Sequence, residues 1–173
     1  ELGPAGMALI NRITETGQKY AVRIIGPNSM GIIRPNENLN TAIIHANPKK
    51  GKTAFISQSE AFGRTLLDWG ISAHMGFSMF ASLGAMIDVD FADLIDFLCE
   101  DPHTRNIMLY VEGSIGNVKK FINAAKGCAR NKPIIVLKPA VPVKEKVHGL
   151  THTALLVETE QVYDAVFRRT GVV

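Results

Sequence analysis

Thr53-Ala-Phe-Ile-Ser-Gln-Ser-Glu60 is the stretch that decides how this chain is read. Residues 53 to 56 form a short strand-forming run, and Ser59 to Trp69 follow with helical spacing. A strand feeding directly into a helix opens a βαβ unit. The same rhythm continues outward. Gly76 to Leu83 reads as a strand, Phe91 to Leu98 as a helix and Ile107 to Val111 as a strand. Val118 to Ala129 is a helix, Pro133 to Leu137 a strand, and Glu158 to Arg169 a helix. Apolar strands alternating with helices imply an α/β fold, an open doubly wound parallel sheet of the flavodoxin-like kind. Ligands of such sheets sit at the carboxyl ends of the strands. Ser57, Gly84, Glu112 and the loop after Leu137 fall at that edge.

Before this unit, Gly3-Pro4 opens a helix carrying Met7, Leu9, Ile10 and Ile13. Ala21 to Ile25 reads as a short strand, broken by Gly26-Pro-Asn-Ser-Met-Gly31. Residues 32 to 51 are polar, with an expected edge strand at Thr41-Ala-Ile-Ile44, and mark the boundary between two units. The chain begins mid-pattern without a methionine and is expected to be a piece of a longer protein.

Composition bounds the rest. At 173 residues, with 46% apolar and 20% charged side chains, the chain can bury a core of ordinary size. A net charge of +3 and few aromatics, not interleaved with arginines, argue against a nucleic-acid partner. No apolar run approaches membrane-spanning length. Cys99 and Cys128 form no Cys-x-x-Cys pair, so reduced thiols and a cytoplasmic location are expected. Trp69 and the methionines read as core.

Three constellations could carry chemistry. Ser57-Gln58-Ser59 precedes a helix, whose free amides and dipole favour an anion, although Ser57-x-x-Glu60 also fits a capping box needing no ligand. Glu112 ends a strand at the ligand edge. A carboxylate there can hold one imidazole nitrogen and steady the cation formed when the other attacks. His152 lies between Thr151 and Thr153, past a basic loop, and is the candidate nucleophile. Asn28, Ser29 and Gly31 lie in a turn that either touches a substrate or is a tight connection. Asp88-Val-Asp90 fits helix capping better than a metal pair, and no metal site is expected. His45, His74, His103 and His148 lack ligand spacing.

Taken together, Ile25-Gly-Pro-Asn-Ser-Met-Gly31, Phe55-Ile-Ser-Gln-Ser59, Ser82-Leu-Gly84, Asp88-Val-Asp90, Glu100-Asp-Pro102, Tyr110-Val-Glu112 and Lys132-Pro-Ile-Ile-Val-Leu-Lys138 resemble the NDP-forming acyl-CoA synthetases. These are acetate–CoA ligases (ADP-forming) related to the alpha subunit of succinyl-CoA synthetase. The resemblance covers nearly the whole chain. It implies that residues 1–45 close a CoA-binding Rossmann-like domain and that residues 50–173 form a succinyl-CoA ligase-like, flavodoxin-like domain. His152 resembles the phosphorylated histidine and Glu112 its orienting glutamate. Ser57, Gln58 and Ser59 resemble the phosphate-binding helix start, and Asn28, Ser29 and Gly31 resemble the loop that lines the CoA and acyl site. Implied cofactors are CoA or acetyl-CoA and phosphate, with ATP/ADP and Mg on an ATP-grasp domain or subunit outside this chain. A homo-oligomer is expected, and the fragment is expected to be inactive alone.

The sequence also departs from the family pattern. Glycine is usual where Glu60 and Ala154 stand, and asparagine is frequent at Ala85. Leu67-Asp-Trp69, Met75-Gly-Phe-Ser78 and Arg130-Asn-Lys-Pro133 resemble the synthetase-like part of Pat-type protein lysine acetyltransferases. In that branch the domain senses CoA thioester and regulates an acetyltransferase domain. Glu60 fits this alternative, while His152 with Glu112 fits the ligase.

Overall fold

A computed structural model describes residues 3–44, 47–139 and 160–173. Helix α1 (Pro4–Lys19) is followed by a short hairpin, β1 (Ile32–Arg34) and β2 (Leu39–Asn40), joined by a 3-10 turn at Pro35–Glu37. Then come β3 (Lys49–Ser57), α2 (Glu60–Ser72), β4 (Gly76–Ser82), α3 (Phe91–Glu100) and β5 (Asn106–Tyr110). The chain ends with α4 (Val118–Cys128), β6 (Ile134–Leu137) and α5 (Glu160–Thr170).

The six strands lie in the order β2-β1-β4-β3-β5-β6. The last four are parallel, as expected from their continuous apolar runs. The edge differs from the expectation of an all-parallel sheet. β1 pairs antiparallel with β4, and β2 folds back on β1. Asn38, in the left-handed region at φ 55°, closes this turn earlier than the apolar run at 41–44 suggests. That run still bonds onward, Thr41 N–H to the Ile32 carbonyl and Ile43 N–H to Met30. Ala21 to Ile25 is not a strand. Its carbonyls accept from loop amides instead, Val89 to Ile24, and the Asp88 carboxylate takes the Ile24 N–H.

Strand alternation sorts the core into two layers. Ala54, Ile56, Ala81, Ile107 and Leu109 face α3, α4 and α5. Phe55, Phe77 and Phe80 face α2, together with Met30 and Ile33 from the segment before β3. Each of these fully buried phenylalanines contributes about 1.5–3 kcal/mol by leaving water. Helix α2 reaches the sheet through Gly63, Leu67 and Gly70. A Cβ on Gly70 would come 2.7 Å from the Phe77 ring. Because glycines carry the packing stripe, Trp69 is turned outward and is 60% exposed, which corrects its reading as core. Among the methionines, Met30 and Met79 are buried, whereas Met7 is exposed. No helix among the described residues is long and apolar enough to cross a membrane.

Candidate functional site at the carboxyl edge of the sheet

Ser57 ends β3 between Ser82 of β4 and Tyr110 of β5. It is fully buried, and its hydroxyl donates to the Ser59 carbonyl at 2.7 Å. The cap of α2 is therefore Ser59 rather than Ser57. Its hydroxyl accepts the Phe62 N–H at 3.3 Å, and its carbonyl accepts from Gly63. The expected Ser57–Glu60 capping box is not the one formed, because β3 continues to Ser57 and shifts the helix start. The first amides of α2, at Glu60 and Ala61, precede the helix's own ladder and lie at its positive end. Glu60 occupies the first helical position and is exposed.

Gln58 extends the β3–β5 ladder by one rung, its N–H donating to the Tyr110 carbonyl at 3.1 Å. Its side chain then crosses to the next loop. Oε1 accepts from the Glu112 and Gly113 amides at 3.0 and 2.7 Å, and Nε2 donates to the Ser114 carbonyl at 3.1 Å. Glu112 is exposed just beyond β5. Burial, and then the Glu112 charge, raise the Tyr110 phenol above its usual pKa. The Tyr110 ring stacks on Phe62 of α2 at 3.8 Å between centroids.

The loop from Gly26 to Gly31 reaches the same edge. The Gly26–Pro27 peptide is cis, and Asn28 is left-handed at φ 57° and exposed. Ser29 donates to the Ser82 carbonyl and accepts the Gly31 N–H, and the Gly31 carbonyl accepts from Ser82. Gly84 makes this docking feasible. Its φ is +59°, and a Cβ there would overlap the Pro27 and Asn28 carbonyl oxygens.

The structure thus brings Asn28, Ser29, Gly31, Ser57, Gln58, Ser59 and Glu112 to one edge. His152, Thr151, Thr153 and Ala154 lie outside the described residues, as do His45 and His148. One group escaped the sequence reading. Ser82 is fully buried, and its hydroxyl has no hydrogen-bond partner among the described residues. The motif Ser82-Leu-Gly84 was visible, but the register that sets Ser82 beside Ser57 crosses a helix and could not be read.

Nearby charge is structural. Asp90 caps α3 in a reciprocal box with Asp93, as its position before the helix suggests. Asp88 instead pairs with Arg23 at 3.0 Å, which lowers its pKa, and Lys120 bonds both Asp90 and Asp93. Burial opposes ionisation of Asp93, but the Lys120, Asp90 amide and Arg23 hydrogen bonds outweigh it and hold its pKa at about 2. Cys128 is buried against α3, and burial followed by the neighbouring Cys99 thiol pushes its pKa up to about 12. It is a thiol at neutral pH and unsuited to nucleophilic work.

Known proteins resemble this chain along nearly its whole length. It is 39% identical, over 99% of its length, to the acetate–CoA ligase (ADP-forming) II subunit alpha of Pyrococcus furiosus. It is 34% identical, over its full length, to the acetate–CoA ligase (ADP-forming) I of Archaeoglobus fulgidus. The solved acetyl-coenzyme A synthetase 1 of Ca. Korarchaeum cryptofilum, described as dinucleotide forming and in complex with phosphate and ADP, superposes on 97% of the chain with a TM-score of 0.88 at 31% identity. The chain spans 37% of the first of these proteins, 25% of the second and 36% of the third. Residues 50–173 match the succinyl-CoA ligase like flavodoxin domain, and with that match the chain belongs to this family, the one its strand-edge motifs resemble.

Proposed function

We propose that this chain is the phosphoryl-handling domain of an ADP-forming acetate–CoA ligase, acting in the cytoplasm within an oligomer that includes an ATP-grasp domain or subunit. The support is the juxtaposition at one sheet edge. Helix α2 opens beside the loop that carries Glu112, and the Ser29 loop docks on the strand between them and the hairpin. Residues 1–45 then complete a CoA-binding domain, with Asn28, Ser29 and Gly31 along the CoA and acyl site. Phosphate oxygen attacks the thioester carbonyl carbon, the C–S bond breaks, and CoA leaves as the thiol with acyl phosphate as product. His152 attacks phosphorus, the bond to the acyl oxygen breaks, and the carboxylic acid anion departs. The phosphohistidine then gives its phosphoryl group to ADP. Glu112 holds the second imidazole nitrogen, and the α2 amides with Ser57 and Ser59 offset the phosphoryl charge.

Beside the stretches at 67–69, 75–78 and 130–133, Glu60 favours the sensor of a protein acetyltransferase instead. A carboxylate at the first turn of α2 opposes an incoming phosphate, although its exposure to water screens that charge. The reported relatives are acid–thiol ligases, which favours the first reading. The full-length protein, incubated with labelled ATP and magnesium, should acquire acid-labile, base-stable phosphate. His152→Asn should abolish the label and Glu60→Gly should retain it. Label that appears only in Glu60→Gly would support the sensor, and no label in any form would sink phosphotransfer.

A further inference from the structure

We propose that Gln58 is a positioning residue that sets the place of Glu112, rather than a phosphate ligand. This rests on the ligase reading for its functional meaning and on hydrogen bonding for its geometry. A carboxamide offers two lone pairs and two N–H groups. Both lone pairs of Gln58 are taken by the Glu112 and Gly113 amides, and one N–H is taken by the Ser114 carbonyl. Three of its four hydrogen-bonding positions are therefore engaged by one tripeptide.

No charged side chain matches that demand, and asparagine, with the same amide, is one methylene shorter. A carboxylate satisfies the two amides but faces the Ser114 carbonyl with no proton. Lysine or arginine can donate to the carbonyl but cannot accept from the amides. The backbone of Gln58 is itself fixed, since its N–H closes the last rung onto Tyr110. The strap therefore transmits the rigidity of β3 to a loop that also holds the Gly116 N–H to Ser114 hydroxyl bond. It ties the backbone of Glu112 to the residue that adjoins Ser59, the cap of α2. A displacement of about 1 Å in a group that orients a nucleophile lowers turnover on the order of 100-fold.

The test uses the full-length protein with acetyl-CoA, phosphate and ADP, comparing wild type, Gln58→Met, Gln58→Glu, Glu112→Gln and the double variant Gln58→Met with Glu112→Gln. Gln58→Met should lower kcat about 100-fold while the KM for phosphate moves less than about threefold. The double variant should be no slower than Glu112→Gln alone, because the two changes remove one effect. Amide exchange at Glu112 and Gly113 should quicken about tenfold or more in Gln58→Met and be partly restored in Gln58→Glu, which keeps both acceptors. A raised KM for phosphate at constant kcat, multiplicative losses in the double variant, or unchanged exchange would each overturn the proposal. Wild-type protein without turnover would overturn the ligase reading instead, and the exchange result would still decide whether Gln58 holds the loop.

Discussion

The two ends of the parallel sheet use polar side chains in opposite ways. At the amino end, Asp101 is almost fully buried and surrounded by donors. The Thr104 hydroxyl reaches it at 2.6 Å, Arg34 at 3.3 Å and the His103 amide at 3.3 Å. The Ser78 hydroxyl in turn donates to the Thr104 oxygen at 2.7 Å, and Lys132 donates to the carbonyls of Leu98 and Asp101. Arg34 pairs with Glu37 and lies 4.8 Å over the Phe97 ring. The donors there without a partner among the described residues, Arg34 Nε and Asn36 Nδ2, belong to the antiparallel edge hairpin and not to the parallel strands. At the carboxyl end, Ser29, Ser57 and Gln58 bond to backbone, the Glu112 carboxylate faces water and the Ser82 hydroxyl has no partner among the described residues. One end is closed upon itself and serves stability. The other retains hydrogen-bonding capacity and charge, which a ligand can use.

The largest effect that distinguishes them is Asp101→Ala. It strands the Thr104 hydroxyl and one side of Arg34 in a buried place, and should lower stability by about 3 kcal/mol. A urea midpoint shift equivalent to less than about 1 kcal/mol would erase the contrast. Next comes a pair on one strand. Ser78 and Ser82 are both fully buried on β4 and differ in having a side-chain partner among the described residues. Ser78→Ala should lose about 1 kcal/mol, whereas Ser82→Ala should be neutral or slightly stabilising, since it removes an unsatisfied group. Equal losses would show that the Ser82 hydroxyl is not free. The smallest effect is a pH dependence in the cluster of Arg23, Asp88, Asp93 and Lys120. The Asp93 pKa falls from 3.8 in the unfolded reference to about 2 on folding. Its stabilisation is therefore complete above about pH 4 and is lost as the pH falls through about 2. After solvent screening this is about 1 kcal/mol, and Asp93→Asn should flatten the urea midpoint between pH 5 and 2 by that amount. An unchanged slope would remove the cluster from the stable part of the carboxyl end.

These contrasts also show what a sequence can carry. The strands at Thr53 and Ile107 were legible because a strand covered on both faces must be apolar throughout, whereas the edge strand after Pro133 is as apolar although Ile135 and Leu137 stay half-exposed. Ala21 to Ile25 has the same composition, yet the Asp88 carboxylate and the 85–89 loop take its backbone groups, so composition misleads there. Trp69 was misread because two glycines, which carry no hydrophobic signal, form the packing stripe of α2. Ser57, Gln58, Ser59 and Glu112 could be named from their places at strand ends. What Gln58 holds could not, since its partners lie over fifty residues away and depend on strand order, which periodicity does not encode.

The span of the Gln58 strap also bears on how the protein assembles. Its bonds join residues 54 to 56 positions apart, across two helices and two strands. They close only when β3 and β5 are in register, which requires loop closure over that distance. The acidic loop therefore acquires its final position late in folding, after the central strands have met. A nascent chain that has emerged only as far as β4 has the helix start but no fixed carboxylate beside it.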